Sequence, residues 1–484
     1  MSSGIAFALR GRALRDEIRE ANAAQPGRGL TQAATEKRMG GREMVEDPRV
    51  RLAQSPMTMR QIMAVALCVV LNALDGFDVL AISFASPGIA SEWGIDRAAL
   101  GLVLSMELIG MAVGSIILGN AADRLGRRPM ILACLVIMSI GMWLATLAGD
   151  VQSLSAYRLF TGFGIGGMLA CTNAMVAEYS NDRARNLAVA IMAAGYPMGV
   201  VIGGTVASGL LESGGWRDVF HFGAVVTAAF FPIAWFLLPE SVGYLMQARP
   251  KNALQKINRA LRGVGHKAIH AIPERESAPI TASPLQLFSP TLRRATLLLT
   301  ASYFAHIMTF YFILKWIPKI VVDMGYAPAA AGGVLVWANA GGLLGALLLS
   351  MLSWRIGIRA LAIVAMLGSC IAVAWFGQGQ SNLDQLGFVA ATAGFCANAG
   401  VVGLYAIIAA TFPTEVRASG TGLIIGIGRG GAALGPIAAG LLFSFDIGLP
   451  IVAGIMAAGS LCAAIALLFL SGRAKFHSRA EETA

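Results

Sequence analysis

Charged side chains are scarce in this chain of 484 residues, since only 13% are Asp, Glu, Lys or Arg whereas 56% are hydrophobic. Soluble domains have about 25% charged and about 45–50% apolar residues. The composition therefore excludes an ordinary water-soluble enzyme. The apolar residues are gathered into segments of about 18 to 25 residues, each long enough to cross a hydrocarbon core of about 30 Å. The sequence predicts a membrane protein with many spans.

Sequence signals for catalysis and metal binding are missing as well. Five scattered histidines and six cysteines at apolar positions have no metal-ligand spacing, so we predict no metal site. The chain contains no G-x-x-x-x-G-K-[ST] nucleotide loop and no Ser or Cys nucleophile beside a plausible base. A G-x-G-x-x-G match at Gly162, Gly164 and Gly167 lies in an apolar helix without a preceding strand, so we regard it as chance. We predict no enzyme activity, no cofactor and no bound nucleotide.

The net charge of +10 follows from the distribution of basic residues along the chain. Alternate regions, beginning with the N-terminal segment, hold 31 Arg and Lys, whereas the intervening regions hold only Arg97, Arg217 and Lys319. Basic residues accumulate in the cytoplasmic loops of membrane proteins. We therefore predict that both termini are cytoplasmic, that the protein is a multi-pass protein of the cell inner membrane, and that the charge does not serve nucleic-acid binding.

Twelve apolar segments are expected to be helices. Barrel strands would be about ten residues long and alternate polar with apolar side chains, whereas these segments are longer and apolar on every face. The fold class is thus an all-α membrane protein. The expected spans are 61–85, 98–119, 129–148, 152–177, 186–210, 219–238, 295–320, 329–351, 358–376, 384–410, 418–443 and 450–471.

The longest polar connection divides these helices six and six. We expect a basic, disordered cytoplasmic tail, an N-terminal six-helix half, a cytoplasmic inter-half loop, a C-terminal six-helix half and a second cytoplasmic tail. Their respective boundaries are 1–60, 61–239, 240–294, 295–472 and 473–484. Translation can also be expected to begin at one of the methionines in the first tail, which are Met39, Met44, Met57 and Met59.

The two halves align with each other at an offset of 231 residues. Gly110 and Gly114 then meet Gly341 and Gly345, and the loop sequence DRLGRR meets WRIGIR. Internal repeats of this kind are typical of transporters, whose halves move against each other around a central site. The ionisable residues differ between the halves, which suits one substrate passing between two unlike surfaces.

Several motifs resemble those of a known family. GNAADRLGRR, at 119–128, resembles the loop between helices 2 and 3 of the major facilitator superfamily, and YRLFTGFGIGG, at 157–167, resembles the motif in its fourth helix. More narrowly, LDGFDVLAISFASPGIASEWGI, at 74–95, and FPTEVRASGTG, at 412–422, resemble the aromatic acid:proton symporters.

The resemblance implies the major facilitator fold, with twelve transmembrane helices in two six-helix repeats. It also implies that Asp75 and Asp78 are needed for transport and that Asp123 and Arg124 take part in gating. The second-half loop has Trp354 in place of the Asp, so only the first-half loop is expected to gate.

Four ionisable residues in the N-terminal half are candidates for proton coupling: Asp75, Asp78, Glu107 and Arg158. A carboxylate at membrane depth costs at least about 2.5 kcal/mol, so such residues are usually functional. In the alternative interpretation, one or both of Asp75 and Asp78 lie near the water boundary of the membrane and only cap a helix or form an ion pair. Glu107 is either a second protonation site or the buried counter-ion of Arg158, which could itself bind an anionic substrate.

Five residues in the C-terminal half are candidates for substrate binding. Arg429 leads because its helix shows no acid that would neutralise it, although pairing with an acid of the other half is the alternative. Lys315, Trp316, His306 and Tyr303 combine cationic and aromatic groups suited to an aromatic carboxylate. Lys315 and Trp316 equally fit an interfacial position, and His306 fits a hydrogen-bonded core histidine, although the repeat places it opposite Asp75.

The loop between the second and third predicted helices is the candidate gate. Its charges can pair with neighbouring helix ends and hold the inward gate closed until the halves move. Part of the cluster also serves as topogenic charge. The candidate gating residues are Gly119, Asp123, Arg124, Gly126, Arg127, Arg128 and Glu178.

Together these features predict a secondary transporter that imports a small aromatic carboxylate with protons by alternating access. Its partners would be the aromatic acid, protons and the lipid bilayer; its energy source would be the proton gradient, and it would act as a monomer. The alternatives are export by proton antiport and symport of another small organic anion.

Overall fold

The computed structural model describes residues 47–273 and 284–470. Expectations for residues 1–46, 274–283 and 471–484 therefore lie outside the described residues. Within the described ranges the chain is helical and contains no strand.

Within 47–273 and 284–470, twelve helices are long and apolar enough to cross a membrane, as the sequence predicts. They are called helix 1 to helix 12 in chain order. Their bounds are Met59–Trp93, Arg97–Leu125, Arg127–Thr146, Val151–Tyr179, Arg185–Ser213, Trp216–Leu237, Arg293–Asp323, Pro328–Leu352, Ile358–Phe376, Leu383–Thr411, Thr414–Ser444 and Leu449–Phe469.

Helix 1 continues well beyond its predicted end at residue 85. It passes through Pro87, which lacks an N–H, and ends at Trp93 before Gly94 in the left-handed conformation. The carbonyl of Ser83, which would otherwise accept the missing hydrogen bond, accepts one from Ser86 Oγ at 2.8 Å. A neighbouring serine thus satisfies the backbone group that proline leaves free, so the helix continues through the proline.

The structure contains short helices in two segments that the sequence analysis assigns to a disordered tail and a loop. Residues 48–54 form a short helix, and two more helices, Val242–Ala248 and Ala253–Gly263, follow helix 6. The last of these buries Ile257 and Leu261 and exposes its basic residues. Two hydrogen bonds tie it to the start of helix 1, from Thr58 Oγ1 to the carbonyl of Val264 at 2.5 Å and from Arg60 Nη1 to the carbonyl of Arg262 at 3.1 Å. These segments thus cover part of the N-terminal half.

The glycines matched by the internal repeat make equivalent helix contacts in both halves. A Cβ on Gly114 of helix 2 would overlap the carbonyl oxygen of Phe163 in helix 4, and a Cβ on Gly345 of helix 8 would overlap that of Phe395 in helix 10. Gly110 and Gly341 make the same kind of approach one turn earlier in their helices. Small residues let transmembrane backbones pack closely, so each half has the same rigid helix pair.

The halves meet at the end of the bundle where helix 1 ends and helix 2 begins, here called the seam end. Arg97 pairs with Asp323 of helix 7 at 3.2 Å, and its guanidinium lies 5.3 Å from the centre of the Phe443 ring. A Cβ on Gly101 of helix 2 would lie 2.6 Å from the carbonyl oxygen of Pro436 in helix 11. Backbones of opposite halves are therefore in close contact at the seam end.

The opposite end, called the loop end, is more open between the halves. Helix 1 is enclosed from Leu71 to Pro87, whereas Met59 is 71% and Ile62 46% exposed near its start. Leu297, near the start of helix 7, is 60% exposed. Among the described residues, the polar contacts that join the halves are made by Arg97, Lys315 and Arg429, all away from the loop end, which indicates that the halves are joined at the seam end and in the middle of the bundle.

Substituting alanine for Gly114 tests the close helix packing. We expect Gly114→Ala to lower the free energy of unfolding by about 1–3 kcal/mol, because the added Cβ would push helix 2 away from helix 4. The measurement is thermal unfolding of the purified protein in detergent. Gly454→Ala in helix 12 is the matched control, because no atom lies within 4 Å of its Cβ position. A destabilisation as large in Gly454→Ala would contradict this explanation.

Candidate functional site

Three buried charges form an ion triad between the halves. One carboxylate oxygen of Glu107 in helix 2 forms an ion pair with Arg158 Nη2 of helix 4 at 2.5 Å, and Lys315 Nζ of helix 7 lies 3.4 Å from the other oxygen. Lys315 also donates a hydrogen bond to the carbonyl of Val79 in helix 1. All three charged side chains are fully buried. One carboxylate therefore holds together cations from both halves.

Arg158 is anchored within the N-terminal half by further contacts. Its Nη2 donates to the backbone carbonyl of Asp78 at 2.7 Å, and its Nη1 lies 2.9 Å from the sulfur of Met142. Its guanidinium lies 5.2 Å from the centre of the Phe220 ring, within the range of a cation–π contact. These contacts link helices 1, 3, 4 and 6, so Arg158 is a fixed part of its half.

The two aspartates of helix 1 have few partners. Asp78 Oδ2 accepts a long hydrogen bond of 3.4 Å from Thr227, whereas its Oδ1 has no partner among the described residues. Asp75 is 2% exposed, and neither of its carboxylate oxygens has a described partner. Gly76 follows it, and a Cβ there would overlap the backbone of Tyr196, so helix 5 packs closely over this turn. Asp75 is thus a buried acid without a counter-ion.

Arg429 of helix 11 is the cation of the C-terminal half. It is half-buried, and its Nη1 donates to the carbonyl of Met111 in helix 2 at 3.1 Å. Among the described residues no carboxylate forms an ion pair with it. The pairing with Asp75, Asp78 or Glu107, weighed as an alternative, is thus not present in this conformation. Most of its guanidinium remains available for an anion.

Two tyrosines, Tyr303 and Tyr405, lie near Arg429. The hydroxyls of Tyr303 and Tyr405 lie 3.0 Å apart, and their ring centres are separated by 5.7 Å. A Cβ on Gly428 would overlap the Tyr303 ring, so this glycine lets the ring lie against helix 11. Tyr405 is 40% exposed, whereas Tyr303 is buried. The arrangement places aromatic faces and hydroxyl groups near the Arg429 guanidinium, which still has N–H groups available to donate.

A small cavity lies between the halves, near the middle of the bundle. Its volume is about 10 Å³, about enough for one water. Side chains of helices 5, 7, 8 and 10 line it, including Tyr196, Phe310, Leu314, Asn339 and Asn398. The halves thus enclose a narrow space with mixed aromatic and amide walls.

The structure corrects the interfacial interpretation of Lys315 and Trp316. Both are buried, since helix 7 extends to Asp323 and places them two turns or more before its end. Trp316 Nε1 donates to the carbonyl of Pro436 at 3.2 Å, inside the contact between the halves. Lys315 lies in the ion triad, where its ammonium contacts Glu107 and the carbonyl of Val79.

His306 fits the interpretation as a hydrogen-bonded core histidine. Its Nδ1 lies 2.9 Å from Ser460 Oγ, and its Nε2 lies 2.9 Å from the carbonyl of Ala397. The carbonyl can only accept, so Nε2 carries the proton, and Nδ1 accepts from the serine hydroxyl in the neutral ring. Both ring nitrogens are occupied within the C-terminal half, which leaves neither for a substrate in this conformation.

The candidate gating loop is bonded within its own half. Arg127 pairs with Glu178 and lies 3.9 Å from Asp123, and its backbone N–H donates to Glu240 at 3.0 Å. Gly126, with φ of 109°, lies so close to Glu240 that a Cβ would meet its carboxylate. Burial raises the pKa of Glu240, although the backbone hydrogen bonds it accepts lower it.

The other loop residues also bond within the N-terminal half and the segment after it. Arg128 donates to the carbonyl of Trp235 at 2.5 Å and stacks on its ring, and the carbonyl of Arg124 accepts from Tyr244 Oη at 3.0 Å. Gly119 lies against Ala170 of helix 4. The pairing of this cluster with Glu178 is present, whereas its role as a gate stays a prediction.

Comparison with known proteins agrees with this architecture. The family description "Major Facilitator Superfamily" matches residues 68–345 and 299–483. The chain belongs to the major facilitator superfamily. A D-xylose-proton symporter of this fold superimposes with a TM-score of 0.66 at 18% identity, covering 86% of this chain and 99% of that chain.

Two relatives within the superfamily are transporters of aromatic acids. The gallate transporter of Pseudomonas putida is 32% identical, over 89% of this chain and 96% of its own. The 4-hydroxybenzoate transporter PcaK of Pseudomonas putida is 29% identical, over 79% of this chain and 86% of its own. Superfamily membership and these relatives identify the chain as a transporter and not an enzyme.

Sequence reasoning missed several polar residues of the central site. Tyr405, Tyr196, Asn339 and Asn398 were not singled out, because one polar residue in an apolar helix is common and its direction depends on the packing of other helices. A usable signal was present, since Asn339 follows Ala338, which the repeat places opposite Glu107. The geometry of the superfamily fold brings all four toward the middle of the bundle.

Replacing the shared carboxylate of the ion triad tests its role in stability. We expect Glu107→Gln to lower the free energy of unfolding by about 3–5 kcal/mol, because it leaves Arg158 and Lys315 buried without their anion. The matched control is Glu92→Gln, which breaks an exposed pair with Arg217 of 2.7 Å. That change should cost at most about 1 kcal/mol. Thermal unfolding of both variants in detergent measures the difference, and equal losses would refute the assignment.

Proposed function

We propose that the protein imports a small aromatic carboxylate together with a proton, by alternating access of its two halves. The observation that carries the proposal is Arg429, a cation within a transmembrane helix that forms no ion pair with any described carboxylate and lies near Tyr303 and Tyr405. The aromatic acids named for the gallate and 4-hydroxybenzoate relatives support the same substrate class.

Substrate binding is assigned to Arg429 and its tyrosines. A guanidinium binds a carboxylate through two parallel hydrogen bonds, and an aromatic ring packs well against tyrosine faces. Tyr405 is partly exposed, so this site is accessible from the open side of the bundle in this conformation. The tyrosine hydroxyls can bond to substituents on the ring, which makes hydroxylated aromatic acids suitable substrates.

Proton binding is assigned to the acids of helices 1 and 2. A buried carboxylate without a partner is costly as an anion, so Asp75 is the acid that takes up the transported proton, whereas Asp78 and Glu107 lie beside Arg158 and Lys315. The energy source is then the proton gradient alone, without a cofactor.

Charge balance explains why the two ligands would move together. The core charges comprise three acids and three cations, namely Asp75, Asp78, Glu107, Arg158, Lys315 and Arg429. The charges of these six side chains sum to zero in the empty protein. The sum is again zero when a substrate carboxylate is bound to Arg429 and a proton is bound to Asp75. Either ligand alone leaves one uncompensated charge in the membrane core, which is costly. The empty and the doubly loaded proteins are therefore the forms that change conformation.

The predicted topology assigns the two ends of the bundle to the two sides of the membrane. If both termini are cytoplasmic, the seam end faces outward and the loop end faces the cytoplasm. The conformation described is then the one that opens to the cytoplasmic side of the inner membrane. In the outward-open conformation the Arg97–Asp323 contact separates and the loop around Asp123 and Arg127 closes against the other half. The protein works as a monomer, because each step lies within one chain.

Uptake into reconstituted vesicles tests the proposal. With an acidic exterior, labelled 4-hydroxybenzoate should accumulate, and Asp75→Asn should abolish this accumulation while exchange of internal for external substrate continues. Asparagine mimics the protonated acid, so the loaded form still moves, whereas the empty form now carries the unbalanced charge of Arg429. Arg429→Gln should instead weaken both activities and raise the KM at least about tenfold, because an ionic hydrogen bond to the substrate is lost.

Arg417→Gln in the same helix is the control, since Arg417 bonds to the carbonyl of Phe412 at the exposed start of helix 11. Protein-free vesicles correct for diffusion of the neutral acid. Full accumulation by Asp75→Asn after the gradient is collapsed would overturn the proposal. Movement of substrate only outward against a proton gradient would instead identify an exporter.

A further inference from the structure

Lys315 belongs to the C-terminal half, but its ammonium group is buried against the N-terminal half. It belongs to helix 7, yet the contacts recorded for its ammonium are the carbonyl of Val79 in helix 1 and the carboxylate of Glu107 in helix 2. Arg158, the other cation at Glu107, bonds entirely within the N-terminal half. When the halves move as rigid bodies, Arg158 stays with Glu107 and Lys315 does not.

Lys315 lies close to the part of the bundle that has to open. Its neighbour Trp316 bonds to Pro436, whose carbonyl contacts Gly101 across the seam end. Glu107 lies ten residues after Arg97, which itself pairs with helix 7 at Asp323. Separation of the halves at the seam end therefore withdraws helix 7, and Lys315 with it, from helices 1 and 2.

Withdrawal of Lys315 changes the charge of the N-terminal half by one unit. With Lys315 in place, two cations face three acids; without it, Arg158 alone faces Asp75, Asp78 and Glu107. Among the described residues, no other cation forms an ion pair with any of these three acids. The remaining titratable or charged groups near these acids are Cys134 of helix 3, Tyr196 of helix 5, Tyr311 of helix 7 and Arg429 of helix 11.

We propose that Lys315 is a moving counter-ion that sets the proton affinity of the N-terminal half. The inference rests on the proposed proton coupling and adds the residue that links it to conformation. Closing the seam end inserts the ammonium beside Glu107, which favours release of the proton toward the loop end. Opening the seam end withdraws it, and the acids take up a proton. Lys315 is a positioning residue for the proton and does not contact the substrate.

The internal pH dependence of uptake tests this role. In Lys315→Met vesicles, net accumulation should need a more alkaline interior, with the half-maximal internal pH raised by at least about one unit, a tenfold change in proton affinity. Exchange of internal for external 4-hydroxybenzoate, which requires no proton release, should continue, because the acids of the variant keep one additional proton that restores the charge balance of the loaded form. Lys315→Arg, which keeps the charge, should restore the original pH profile.

Lys319→Met is the matched control, because Lys319 lies one turn later in helix 7 and pairs with Asp323 in the same helix. Its internal pH profile should not change. An unchanged profile in Lys315→Met would overturn the proposal, as would equal losses of exchange and accumulation. If the unsubstituted protein shows no gradient-driven accumulation, the proposed function fails instead.

A double variant keeps the test decisive if Lys315→Met does not fold. Lys315→Met combined with Glu107→Gln removes one cation and one acid, so the buried charge stays balanced. This variant should exchange substrate, and its net uptake should no longer show the internal pH profile of the unsubstituted protein. Retention of that profile would show that the ammonium does not govern proton release.

Discussion

The ion triad of Glu107, Arg158 and Lys315 is the interaction on which the core depends. A charge taken out of water is costly unless its partners surround it, and losing one partner leaves the others uncompensated. Backbone carbonyls of Asp78 and Val79 accept further hydrogen bonds from the two cations. The triad thus fixes helices 1, 2, 4 and 7 relative to each other. It also leaves Asp75 as the acid without a counter-ion.

Close backbone packing turns this local constraint into a movement of whole halves. Glycines pair helix 2 with helix 4 and helix 8 with helix 10 in the same way, so each half is rigid. The contacts between the halves are concentrated at the seam end, through Arg97, Asp323 and Gly101. Charges that bridge the halves, and not those within one half, are therefore the ones that conformation can change.

The twelve helices could be predicted from the sequence, because apolar length and charge scarcity are local properties. The burial of Asp75, Glu107 and Arg158 inside the bundle was also predictable, since a charge inside an apolar segment stands out. The partner of Lys315 was not, because it lies in the other half and depends on how helix 7 crosses helices 1 and 2. Tyr405 was missed for the same reason, since an isolated tyrosine in an apolar helix carries no signal of its direction.

The central claim is that the core changes conformation only when its charges balance. Simultaneous measurement of proton and substrate fluxes in reconstituted vesicles, together with the current across the membrane, tests it most directly. The account predicts one proton for each aromatic monocarboxylate and no net movement of charge, so a membrane potential alone should not drive uptake. A steady current during uptake, or a ratio other than one to one, would contradict the account.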